Sequence, residues 1–396
     1  MLSRRDFLKS STLLALAPTV PGFLARTARA VEAKRDGRVL VVIQLDGGND
    51  GINTVVPFAD EGYAKYRKTL RIPKDRLVKV NDRVGLHFAL QDLGKLLEGG
   101  KLAIAQGVGY PNPSRSHFRS MAIWHAARLD PEEHNKLGWL GRGLDSAGKG
   151  ASSLLVGAGP PPVAIRGRRS VASAIERLED FKLAAGADPR KALGKEEPAD
   201  DLAAFVQRSM LDAYASADRL AEVAKGKDSD TRYPQTGLAT HLQLVSRLLK
   251  VGLDTRVFYT LQRGYDTHNA QSQTHTTLLF EFAGAMRAFL DDLTAAKLAD
   301  RVAVLVFSEF GRTVKENGSA GTDHGTAGPM FLAGPQVKAG LVGVAPSLLD
   351  LDPKDGDLRR SLDFRQVYAT VLEDWLGLPA KTALGGDFKR LPVFRA

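Results

Sequence analysis

Four stretches of this chain share one pattern: a near-continuous apolar run that breaks off into a polar loop. Residues Arg38–Leu45 run into Asp46-Gly47-Gly48-Asn49-Asp50-Gly51, and Leu102–Gly109 run into Tyr110–Ser116, with helical spacing from about His117. Arg256–Leu261 leads to Gly264–His268 and then a long helical stretch to about Lys297, and Arg301–Phe307 leads to Ser308–Arg312. Apolar runs without alternation predict strands buried on both faces. Strand, polar loop and helix in succession predict an α/β fold with a mostly parallel central sheet flanked by helices on both faces.

Between the second and third units the texture changes. Residues 185–201 are rich in Pro, Gly, Lys and Glu and read as a solvated segment, while Leu202–Lys225 and Gly237–Leu253 space Leu, Ala and Val as helices do. A helical insertion over about residues 186–253 is expected within one domain covering 31–396. The chain closes on an amphipathic helix, Asp363–Gly377, with Asp363 as N-cap and Gly377 at its end.

Residues 1–30 read differently from the rest. Ser3-Arg4-Arg5-Asp6-Phe7-Leu8-Lys9 is a twin-arginine export signal, Ser11–Val20 a weakly hydrophobic core interrupted by Pro18, and Ala28-Arg29-Ala30 a cleavage signature. A periplasmic or secreted protein is expected, carried by the twin-arginine translocase and without a stable membrane anchor after cleavage. The signal's arginines supply part of the formal net charge of +10. The remaining basic residues are scattered, with no stripe interleaved with aromatics, so nucleic acid is not an expected partner and an anionic small-molecule or envelope substrate is. The chain has 0 cysteines, which excludes disulfides, thiolate metal sites and cysteine nucleophiles; any metal is held by oxygen and nitrogen.

In parallel sheets ligands gather at the carboxyl ends of the strands. The residues placed there are Asp46, Ser114, Ser116, Asp266, His268, Glu309, Asp323 and His324. Such a mixture of carboxylates and imidazoles suits divalent ions (Zn, Mn, Mg or Ca) and fits a two-metal hydrolase. Plainer roles exist for each: Asp46 as a turn-former, Asp266 and His268 as caps, Glu309 as an ion-pair partner of Arg312, and His324 as an exposed loop residue. A hydroxyl at a helix start beside metal would be activated as a nucleophile, which points to Ser116 first and Ser114 second. Arg115 and Arg119 are candidate anion clamps. His117 could orient the serine, act as general acid or base, or simply start the helix.

Taken together, Leu45–Thr54, Tyr110–Phe118, Asp266-Thr267-His268, Ser308–Thr313, Asp323-His324-Gly325 and the closing helix resemble the DUF1501 family over essentially the whole mature chain. That family is similar to the alkaline phosphatase and sulfatase superfamily. The resemblance implies an alkaline phosphatase-like fold, with Asp46, Glu309 and Ser116 on one metal and Asp266, His268 and His324 on the other. Two departures follow from the same comparison. Where the superfamily carries an aspartate-histidine pair this chain has Ser308-Glu309, making one site oxygen-rich. Pro111-Asn112-Pro113-Ser114-Arg115 keeps the proline and arginine of the sulfatase motif but places proline at the reactive position, which disfavours sulfatase chemistry.

The expectation is therefore an exported metal-dependent hydrolase of phosphate mono- or diesters or related anionic esters. Ser116 or a water would attack, and Arg115 or Arg312 would stabilise transition-state charge. A non-catalytic envelope or secreted binding protein with a degenerate metal site, and a phospho- or sulfo-group transferase acting on lipid or glycan, stay open beside it.

Overall fold

A computed structural model of the chain describes residues 37–134, 136–147, 151–177, 230–253, 255–354 and 356–395. The expected export signal and the expected first insertion helix, Leu202–Lys225, lie outside the described residues.

The central strand is β1 (Val39–Asp46). A minor antiparallel sheet follows, made by β2 (Val55–Val56), β3 (Val78–Lys79) and β4 (Gly85–Leu86). The remaining strands are β5 (Leu102–Gly109), β6 (Ser152–Val156), β7 (Val171–Ile175), β8 (Thr255–Arg263), β9 (Val302–Phe307), β10 (Gly328–Ala333), β11 (Gly340–Val342) and β12 (Leu362–Asp363). With β1 they form a nine-stranded sheet among the described residues, ordered β11-β5-β10-β9-β1-β8-β6-β7, with β12 beside β5. The major helices are α1 (Gln91–Glu98), α2 (His117–Ala126), α3 (Trp139–Ser146), α4 (Gly237–Val251), α5 (Gln271–Ala295) and α6 (Phe364–Thr370).

The unbroken hydrophobicity of β1 has a direct structural cause. Val39, Val41, Ile43 and Leu45 pack into the core under α4 and α5, while Leu40 and Val42 pack into a second core with Trp124, Trp139 and Tyr368 from α2, α3 and α6. With helices on both faces the strand is apolar on both sides apart from Gln44, whose side chain is hydrogen-bonded to Asp46, so the alternation of a one-faced strand is absent. The closing helix keeps its expected cap: the Asp363 carboxylate accepts the Arg365 N–H at 3.0 Å, and the Gln366 side chain accepts the Asp363 N–H at 3.1 Å. The second insertion helix is α4, capped by Thr236 and ended by Gly252 in the left-handed region at φ 79°.

Strand β1 runs parallel to both β8 and β9. The sheet is parallel except for β10, which is antiparallel to β9 and β5. This exception matters for the site. Because β10 returns beside β9, the connection 308–327 leaves and re-enters the sheet at the same edge, and an antiparallel bridge between Arg312 and His324 folds it back on itself. Among the described residues no helix is long and apolar enough to cross a membrane.

Candidate metal centre

The loops after β1, β8 and β9 meet at one edge of the sheet because two glycines let them approach. Gly47 has φ 118° and Gly48 φ 79°, and a Cβ on Gly47 would stand 2.5 Å from the backbone nitrogen of Asp266. One buried guanidinium then ties the three loops. Arg312 donates from Nε to the Gly48 carbonyl at 2.8 Å, from one terminal nitrogen to the Thr322 carbonyl at 3.0 Å, and from the other to the carbonyls of Gly47 and Tyr265. That second nitrogen also lies 2.6 Å from Asp266 Oδ1. Burial pushes the Asp266 carboxyl up, but the Arg312 and His324 hydrogen bonds with the Arg312 and His117 charges outweigh it and hold it at about 2. Asp266 is therefore a carboxylate at any physiological pH. Arg312, expected to stabilise transition-state charge, directs its donors into the protein at carbonyls and Asp266.

Three histidines surround that carboxylate, and each is fixed through Nδ1. His268 Nδ1 lies 2.9 Å from Asp323 Oδ1, His324 Nδ1 2.6 Å from the Arg115 carbonyl, and His117 Nδ1 2.8 Å from Glu309 Oε1. A carbonyl or carboxylate oxygen can only accept, so each Nδ1 carries a proton, which leaves Nε2 as the nitrogen each ring can offer to a cation. Those Nε2 atoms lie 3.1 Å (His268), 3.2 Å (His324) and 3.5 Å (His117) from Asp266 Oδ1. His117 Nε2 is buried without a hydrogen-bond partner, and the Nε2 atoms of His268 and His324 stand 3.0 Å apart.

Nitrogen and oxygen lone pairs gathered this closely repel unless a proton or a metal cation lies among them. Bonds of about 2.0–2.1 Å to one tetrahedral ion place neighbouring ligand atoms roughly 3.3–3.4 Å apart. The observed separations, 3.0–3.5 Å, bracket that value. Oxygen partners on the far nitrogen are what orient metal-binding imidazoles. The donor set thus fits a divalent ion, with His117, Asp266 and His324 within 4.8 Å of one another and His268 adjoining.

The other expected ligands stand elsewhere. Glu309 is 1 % exposed; Oε1 accepts from the Gly47 N–H at 3.0 Å and from His117, and Oε2 accepts from the Ser308 hydroxyl at 3.0 Å. It backs His117. Asp323 similarly backs His268 and accepts from Asn317 Nδ2 at 3.2 Å. Asp46 accepts from Gln44 Nε2 at 2.9 Å, and burial together with the Glu309 charge raises its carboxyl. The Asp46 and Glu309 carboxylates are neighbours, and Asp266, His268 and His324 are brought together. Ser116 is exposed at the start of α2, where its hydroxyl makes no capping bond. Ser114 accepts the Ser116 N–H at 3.3 Å, and an Arg115 terminal nitrogen lies 3.4 Å from Asp357.

Beneath the loops lies a polar network that the sequence did not disclose. Asp50 and Arg67, both fully buried, pair at 2.5 Å, and Gln271 bonds Asp50 through Nε2 while its Oε1 accepts from Thr267 at 3.0 Å and Thr322 at 2.5 Å. Burial raises the Asp50 carboxyl, but the Arg67 charge and hydrogen bond bring it down to about 2. Residues 49–54, 263–275 and 308–324 are thereby coupled. Asp50 beside the turn-forming glycines was the only visible signal, and its partner lies 17 residues on.

Residues 100–374 match the family described as Protein of unknown function (DUF1501). The chain belongs to DUF1501. No curated protein matches this DUF1501 chain. Among solved structures it is similar to the zinc-bound C-terminal periplasmic domain of EcEptC from Escherichia coli, at 12 % identity and TM-score 0.43, covering 88 % of this chain and 84 % of that one. It is also similar to the phosphonate monoester hydrolase SpPMH from Silicibacter pomeroyi, at 11 % identity and TM-score 0.38, covering 89 % and 75 %. A protein in the alkaline phosphatase superfamily from Vibrio parahaemolyticus shares 10 % identity at TM-score 0.36, covering 81 % and 70 %.

Proposed function

We propose that this DUF1501 protein is a metal-dependent hydrolase of phosphate mono- or diesters or related anionic esters, exported through the twin-arginine pathway to the periplasm or beyond. The observation that carries the reading is the convergence of three imidazole Nε2 atoms on the Asp266 carboxylate. Imidazole-rich donors with one carboxylate suit zinc or manganese better than magnesium or calcium. When bound, the ion supplies Lewis-acid polarisation of an ester oxygen.

The chain's own residues supply the rest. Ser116 offers an exposed hydroxyl free of capping duty, directly before His117. Arg115 and Arg119, both exposed, place positive charge on the same segment for an anionic substrate. His324 ties this segment to the metal loops through the Arg115 carbonyl, so nucleophile and cation site keep a fixed relation.

The test is elemental analysis of protein recovered from its native export route, joined to a screen of phosphate monoesters, diesters and sulfate esters. Bound zinc or manganese with turnover lost in Asp266→Ala supports the reading. Metal-loaded protein inert toward every ester would point to a binding protein, and transfer of the anionic group to a lipid or glycan acceptor would point to a transferase.

A further inference from the structure

A two-ion centre needs a second set of donors gathered around a point about 3.5–4 Å from the first ion. The carboxylates near Asp266 do not provide one. Glu309, enclosed at 1 % exposure, accepts from the Gly47 N–H, the Ser308 hydroxyl and His117 Nδ1. The Ser308 oxygen is engaged in turn, accepting the Asn49 N–H at 2.9 Å. Asp323 is committed to His268 and Asn317. Among the described residues Asp46 remains, its carboxyl raised by burial and by the Glu309 charge, and one carboxylate leaves a second ion under-coordinated.

Glu309 instead does something for the first site. It grips the far nitrogen of His117 and turns Nε2 toward Asp266, where that atom is buried without a hydrogen-bond partner. Asp323 does the same for His268, and the Arg115 carbonyl for His324.

Resting on the metal-hydrolase reading, we propose that the centre is mononuclear: His117, Asp266 and His324 hold one ion with His268 adjoining, and Glu309, rather than binding a second ion, positions His117. The helix after the serine loop thus contributes a metal ligand, and the Ser308-Glu309 pair becomes an outer support. Two imidazoles and a carboxylate on one ion favour zinc and leave a position open.

The experiment is calorimetric titration of the metal-stripped mature protein with Zn2+, with an independent elemental count after gel filtration. One ion per chain is expected. Glu309→Gln should keep that count and bind about 10- to 100-fold more weakly, as loss of an outer partner does. His117→Ala should weaken binding more than Glu309→Gln, with far-UV circular dichroism confirming the fold. Two ions per chain, with one lost in Glu309→Gln or Asp46→Asn, would overturn the mononuclear centre while leaving metal-dependent hydrolysis standing. No ion at all would overturn both, and the wild-type count decides this even if a variant fails to fold.

Discussion

His268 and His324 face each other nitrogen to nitrogen, their Nε2 atoms 3.0 Å apart, while Asp323 and the Arg115 carbonyl hold the opposite nitrogens. An ion held by these loops should stabilise the fold by binding the folded state alone. Zn2+ at 100 times its dissociation constant should add about 2.7 kcal/mol of stability. Thermal melts of metal-stripped protein with and without zinc measure this. The increment should disappear in His324→Ala, and an equal increment in that variant would mean that the ion binds elsewhere.

Arg312 touches four carbonyls and Asp266 from a side chain that is fully buried. Lysine carries the charge but cannot reach this fork of acceptors. Arg312→Lys should therefore cost roughly 3–5 kcal/mol, the range for breaking a buried charged network, and should weaken zinc binding by releasing Asp266. Urea unfolding and calorimetry on the same protein check both. Full zinc affinity in a destabilised variant would separate the scaffold from the metal site.

Gly47 offers a second route to the same failure. With φ 118° and a Cβ position 2.5 Å from the Asp266 nitrogen, Gly47→Ala should displace the β8 loop and abolish zinc binding. Gly159 is the control: φ is 105°, yet nothing lies within 4 Å of its Cβ position. Gly159→Ala should cost about 1–3 kcal/mol of backbone strain alone and leave zinc affinity unchanged. Equal effects of the two substitutions on zinc binding would refute the close-approach account.

Much of the fold was legible because burial on both faces writes itself as uninterrupted apolar runs. Leu102–Gly109 was read at its observed bounds, and β1, β8 and β9 within a residue or two at either end. Asp266, His268 and His324 were legible too, since strand ends at one edge of a parallel sheet share a rim. Other features were not. Whether a carboxylate binds a metal or backs an imidazole depends on which way it points, and Glu309 and Asp323 look alike in sequence to Asp266. Asp50 and Arg67 are paired by tertiary approach, which no local spacing encodes. The reversed direction of β10 was missed because a strand's own pattern carries no information about the orientation of its neighbours.

The last prediction concerns acid. His87 and His275 are 3 % and 2 % exposed and meet edge to face with centroids 5.8 Å apart. His87 Nδ1 accepts the Ala89 N–H at 3.1 Å, and His275 Nε2 lies 3.0 Å from Asn49 Oδ1. Burial, with the charge of the neighbouring His275, pushes His87 down to about 3; burial, against the pull of Asp50, pushes His275 down to about 4. Unfolded histidine takes up its proton near pH 6.5, so below that the unfolded state holds more protons than the folded one. Their stabilising contribution is complete above pH 6.5 and is lost as pH falls toward 4 and then 3, each histidine adding a slope of up to about 1.4 kcal/mol per pH unit. Asp50, lowered to about 2, stabilises above its unfolded value and loses that contribution only in stronger acid. Urea midpoints should therefore drop steadily between pH 6.5 and 5, and His87→Gln should roughly halve the slope these two residues cause. A midpoint unchanged across that interval, at constant denaturant sensitivity, would show that the pair accepts protons without unfolding.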